Sequence, residues 1–155
     1  MARRALLLAA LACIARAGTG THLSAEVIRV VVDRREDVLA GRSWGTVGAY
    51  EKLVGRIYFA FDPASPANAQ IVDLALAPLN GQGRVEAWAE FYVLQPKDPS
   101  RRRGVAWLEV SNRGGKASMR YFNRASEGGW DPSTEAQLGD GLLMRQGLTL
   151  IWVGW

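Results

Sequence analysis

Residues 105–116 read VAWLEVSNRGGK and residues 148–155 read LTLIWVGW, and the way these segments are joined decides the fold. The first is an apolar run, 105–110, that breaks into a Gly-rich turn of Ser111, Asn112, Arg113, Gly114 and Gly115. In the second, Leu148, Leu150, Ile151, Trp152, Val153 and Trp155 suit a strand buried on both faces. Between them, 117–124 is expected as a short helix with Met119, Tyr121 and Phe122 on its apolar side. Residues 128–134 read as loop. A second helix starts near Asp140, a good N-cap, and ends at Gly147, which fits the left-handed position after a helix. A strand buried on both faces needs neighbours on each side, and nothing follows Trp155 to supply them. The chain therefore reads as the N-terminal portion of a larger α/β protein.

Upstream the pattern is mostly strand. Residues 26–33 are a β-branched run, and Arg34, Arg35, Glu36 and Asp37 follow as a solvated turn. Residues 41–50 form a loop with three glycines, and 53–61 alternates with the period of a strand. Residues 71–76 are expected as a short strand, joined through the Asn80-Gly81 turn signal to a long strand at 84–94. On that strand Glu86, Trp88, Glu90 and Tyr92 share a face, directed to water or to a cover, and Val85, Ala87, Ala89, Phe91 and Val93 share the other.

Residues 1–25 stand apart. Arg3 and Arg4 precede an unbroken small or apolar run at 5–15, and Ala15-Arg16-Ala17 supplies a small-x-small site, the three-part pattern of a secretory signal peptide. Cleavage after Ala17 or after Ala25 is consistent with it. The run is too short for the roughly 20 residues of a spanning helix, so no stable membrane anchor is expected. Without Arg3, Arg4 and Arg16 the 19 basic residues become 16, against 15 acidic, and the high isoelectric point no longer argues for nucleic acid. The single cysteine, Cys13, leaves as well, so no disulfide is expected in the exported chain, periplasmic or extracellular.

Absences narrow the chemistry. The only histidine is His22, so 26–155 holds neither a Ser-His-Asp nor a Cys-His site, and no His or Cys is there for zinc. Neither a phosphate-binding loop nor a G-x-S-x-G elbow is present. No catalytic residue, metal site or cofactor is expected within this chain. The candidate site is the turn of Asn112, Arg113, Gly114 and Gly115, because loops at the carboxyl ends of sheet strands are where ligands sit. Glycines there let backbone N–H groups approach a developing oxyanion. The same spacing also suits an ordinary tight turn. Arg101, Arg102 and Arg103 read as a solvated loop.

The order of segments resembles the entry of an α/β hydrolase, and more narrowly the bacterial α/β hydrolase domain-containing family of secreted proteins. The residues that carry it are Gly41-Arg42-Ser43 with Gly48-Ala49-Tyr50-Glu51, Leu53-Val54-Gly55-Arg56, and Asn68-Ala69 with Ile71-Val72-Asp73-Leu74. Ala77-Pro78, Val110, Asn112-Arg113-Gly114, Lys116, Trp152 and Gly154-Trp155 complete the set. Ser111 departs from it, standing where the family tends to have proline. The resemblance implies the β-rich N-terminal portion of an α/β-hydrolase fold, truncated at about the fourth strand. It also implies hydrolysis of a small ester or related acyl substrate in the full-length protein, with Arg113 and Gly114 as oxyanion donors and the serine, acid and histidine beyond Trp155. Two other readings stay open: a secreted β-rich glycan-binding module using Trp88 and Tyr92, and a structural lead-in with no ligand of its own.

Overall fold

The computed structural model describes residues 24–154. Residues 1–23, which hold most of the expected signal peptide (1–25) with Cys13 and His22, lie outside the described residues, as does Trp155. The chain divides into two units. One consists of 60–86 with the described residues up to Glu26, and the other of 27–59 with 87–154.

The first unit contains a left-handed residue where a strand was expected. Residues 71–76 do not form a strand, because Asp73 sits at φ 59° and a 3-10 turn follows at Leu74–Leu76. Val72 and Leu76 are 84% and 81% exposed, so no burial rewards their β propensity. Asn68, fully enclosed, ties this unit together. Its Nδ2 donates to the carbonyls of Ser24 and Asp62, and its Oδ1 accepts from the Ser24 N–H. The Asn80 turn forms, with Asn80 Oδ1 accepting from the N–H groups of Gln82 and Arg84, but it joins a single Leu79–Val85 bridge and not the expected strand at 71–76.

The second unit is organised by a mixed sheet. The strands are β1 (Ala25–Asp37), β2 (Tyr50–Phe61), β3 (Val85–Pro96), β4 (Ala106–Val110) and β5 (Thr149–Val153), in the order β1-β2-β3-β5-β4. β5 pairs antiparallel with β3, Phe91 opposite Val153, and parallel with β4, Val110 also opposite Val153. β1 runs on through Arg34, Arg35, Glu36 and Asp37, the cluster read as a turn. Its charges are matched across the fold instead: Arg34 meets Asp131, Lys52 meets Glu36, and Lys97 meets Asp37. Gly55 in β2 is required for close approach, since a Cβ there would lie 1.9 Å from the Val31 carbonyl oxygen.

The expected N-terminal portion of an α/β-hydrolase fold is corrected by this architecture. The described residues form a mixed five-stranded sheet, more β-rich than such an N-terminus. The α-helices are α1 (Ala117–Asn123), α2 (Glu135–Leu138) and α3 (Leu142–Arg145), of 7, 4 and 4 residues. The physical cause lies in the connection itself. Gly128, Gly129, Pro132, Gly139, Gly141 and Gly147 break residues 117–147 into helices of at most seven residues, where a long crossover helix would need an uninterrupted run. α2 was not foreseen, although Thr134 and Gln137 form a reciprocal capping box at its start.

Tyr50, Leu94, Leu138, Met144 and Leu150 are fully enclosed, with Trp44, Tyr92 and Trp152 packed among them. Each buried aliphatic side chain contributes about 1.5–3 kcal/mol. Asn123 is the polar hub of this core. Its Nδ2 donates to the Leu138 carbonyl at 3.1 Å, and its Oδ1 accepts from the Leu143 N–H at 2.9 Å, so one side chain joins all three helices. Asn123→Ala leaves both backbone groups buried and unpaired. We expect a loss of about 2–5 kcal/mol, read as a lowered urea midpoint with unchanged slope.

Candidate functional site

The site is built from the carboxyl end of β4 outward. Glu109 is the one charged residue in an otherwise apolar strand, and its carboxylate gathers four donors. The Ala117 N–H donates to Oε1 at 2.8 Å and the Ser118 N–H to Oε2 at 2.9 Å. The Ser118 hydroxyl also donates to Oε2, as does Trp152 Nε1–H at 2.7 Å. One side chain thus caps α1, anchors β5 and closes the turn 111–116 against both. Burial pushes the Glu109 carboxyl up, but the hydrogen bonds from Ser118, Trp152 and Ala117 outweigh it and hold it below the ordinary glutamate value.

Within the turn, Arg113 and Gly114 both adopt left-handed backbone, at φ 54° and 76°. That conformation is ordinary for glycine and uncommon for arginine. Both residues line a cavity of about 560 Å³, within the size range of small-ligand pockets. Its walls also carry Trp88, Glu90 and Tyr92 of β3, Trp152 of β5, Arg34 of β1, and Lys116, Trp130 and Asp131. Gly115 is half-buried beside it. Of the four turn residues read from the sequence, the structure therefore brings Arg113 and Gly114 to the cavity.

The cations differ in how they are satisfied. Arg34 donates to Asp131 at 2.7 Å and to Glu36 at 2.8 Å, and Lys52 meets the other Asp131 oxygen at 2.8 Å. Burial would raise the Asp131 carboxyl, yet the hydrogen bonds from Lys52 and Arg34 leave it below the ordinary aspartate value. Lys116 has no such carboxylate. Its ammonium lies 4.5 Å from the Tyr92 ring centre and 5.8 Å from that of Trp152, and donates to the carbonyls of Gly114 and Trp130. Burial draws its pKa below the lysine norm, although Asp131, Glu109 and Glu90 pull the other way.

The aromatic face was only partly legible. Trp88 is exposed, as its strand face suggested, but Tyr92 is not available to stack on a ligand. Its ring packs edge-on against Trp152 at 5.5 Å, and its hydroxyl donates to the Pro132 carbonyl. Burial accordingly pushes the Tyr92 phenol well up. Trp130, 77% exposed in the loop before α2, supplies the second open indole at the cavity. Lys116, Trp130, Asp131 and Arg34 were not singled out as site residues. A Trp-Asp-Pro step after two glycines was the available signal for the loop, and Glu109 amid apolar neighbours was the signal for the clamp.

Among the described residues no group of three or more metal-ligating side chains occurs, and no helix is long and apolar enough to cross a membrane. No protein-family model, curated protein or solved structure matches this chain.

The Glu109 clamp has a pH signature. A carboxylate whose folded pKa lies below its unfolded value of about 4.3 contributes stability that is full above that value and is lost as pH falls through the folded one. Asp131 acts in the same direction. Thermal melts between about pH 6 and 3 should show falling stability below pH 4.3. Glu109→Gln should be less stable at neutral pH and flatten, without abolishing, that acid slope. An unchanged slope contradicts the clamp.

Proposed function

We propose that this chain belongs to an exported protein that hydrolyses an ester or related acyl bond, and that the turn after β4 holds the oxyanion of the tetrahedral intermediate. One observation carries this. Arg113 and Gly114, consecutive and left-handed, stand at the carboxyl end of a parallel strand pair and line the cavity. Backbone N–H groups held there by the Glu109 clamp are positioned before the reaction, and such preorganised donors stabilise developing negative charge without reorganisation. The support is the turn and not the overall architecture, which is more β-rich than the sequence suggested. The nucleophile and its base come from outside the described residues, since the chain's only histidine is His22. The pattern of residues 1–25 supports export.

A second reading has its own observation: Trp88 and Trp130 present open indoles at the same cavity, 58% and 77% exposed. Flat aromatic faces beside polar groups suit a glycan, with Trp130 in the place the sequence had given to Tyr92. Retention of the full chain on polysaccharide, lost in Trp88→Ala, would favour binding without chemistry.

The acyl reading is tested on the product of the reading frame continued past the Trp155 codon, assayed on p-nitrophenyl esters. Gly114→Pro removes one N–H donor and cannot keep the φ of 76° at that position, so the turn is lost with the donor and kcat should fall by about 100-fold or more. Undiminished turnover in the folded variant, or a stop codon directly after Trp155, contradicts it.

A further inference from the structure

We infer that this cavity is a binding site for a small ring-bearing carboxylate, with Lys116 and Arg113 taking the carboxylate and Trp88 and Trp130 the ring. The inference rests on the cavity's own side chains and not on acyl chemistry, so it stands or falls separately from the hydrolase reading. Three cations (Arg34, Arg113, Lys116) and two carboxylates (Glu90, Asp131) line the space. Arg34 and Asp131 satisfy one another. That leaves Arg113 and Lys116 against Glu90, an excess of one positive charge.

Neither remaining cation is paired. Arg113 makes no hydrogen bond or ion pair among the described residues, and Lys116 reaches only two carbonyls and two ring faces. An ammonium has three protons to donate, and two are used. Lys116 is drawn partly out of water with Asp131, Glu109 and Glu90 acting on it only through space, and Arg113 is exposed, so an incoming anion gives both cations a direct partner. Arginine adds a planar fork that matches both oxygens of a carboxylate.

Charge and shape then choose the ligand. A dianion such as phosphate would face Glu90 and Asp131 with one net positive charge to offset it, whereas a monoanionic carboxylate balances that charge. Two open indoles at the cavity favour a flat or cyclic body on the carboxylate, since stacked rings attract beyond simple burial. An aromatic acid and a uronic sugar share this chemistry.

The test uses the full chain, with tryptophan fluorescence titration and equilibrium dialysis as readouts and no turnover required. The probes are 2-naphthoate with 2-naphthamide, D-glucuronate with D-glucose, and inorganic phosphate. One carboxylate should bind about tenfold or more tighter than its neutral counterpart, as expected for a charge-assisted contact. Preference for the naphthyl pair assigns an aromatic acid, and for the sugar pair a uronate. Lys116→Met and Arg113→Asn should each narrow the gap. Glu90→Gln, at an exposed residue whose carboxylate makes no direct hydrogen bond or ion pair among the described residues, should tighten the carboxylate several-fold, and it keeps the test open if Lys116→Met fails to fold. Equal affinity for acid and neutral probe, tighter binding of phosphate, no saturable binding at millimolar concentration, or an unchanged Glu90→Gln affinity each overturns the inference.

Discussion

The Glu109 carboxylate is the contact on which the rest of the site depends. It sits on β4, receives two backbone N–H groups and a hydroxyl from the start of α1, and takes the indole N–H of Trp152 on β5. Between its own position and those partners the chain must pass through the turn 111–116. Fixing both ends of that turn leaves little freedom for Arg113, Gly114 and Lys116. Four donors on one half-buried carboxylate also keep it ionised, which is the state that clamps best.

Two further polar contacts act beside it, one in the core and one at the cavity wall. Asn123 joins the three short helices by pairing the Leu138 carbonyl and the Leu143 N–H, a task that hydrophobic packing cannot do for helices of four residues. Asp131, gripped by Arg34 and Lys52, draws the loop bearing Trp130 toward β1 and β2. Among the described residues, the Glu109 and Asp131 hubs thus hold segments that line the cavity, and the Asn123 hub holds the helices of the core. Tyr50 adds a fourth tie, its single hydroxyl proton shared between the Met144 and Leu148 carbonyls at the entry to β5.

How legible this was depended on the range of the interaction. β2, β3, β4, β5 and α1 were legible because alternation, apolar runs and flanking glycines are local signals. Residues 71–76 misled, since Ile71, Val72 and Leu74 carry β propensity that no partner strand rewards. The Arg34 to Asp37 cluster looked like a turn because its ion-pair partners, Asp131, Lys52 and Lys97, are far away in sequence. The helix expected from near Asp140 to Gly147 is shorter than read, Leu142–Arg145, between Gly141 and Gly147, and Glu135–Leu138 was missed although Thr134 caps it. In the site, the turn of Arg113 and Gly114 was readable from its glycines. Burial of Tyr92 was not, because it depends on Trp152 and Pro132 meeting it from distant segments.

The most direct test of the central claim, that the clamped turn and the two open tryptophans form one binding site, is a nuclear magnetic resonance titration of the full chain with 2-naphthoate. The account predicts shifts concentrated in the indole N–H signals of Trp88 and Trp130 and the amides of 113–116, saturating together along one binding curve. Shifts scattered over the surface, confined to residues 60–86, or absent from the turn while the tryptophans respond would contradict it.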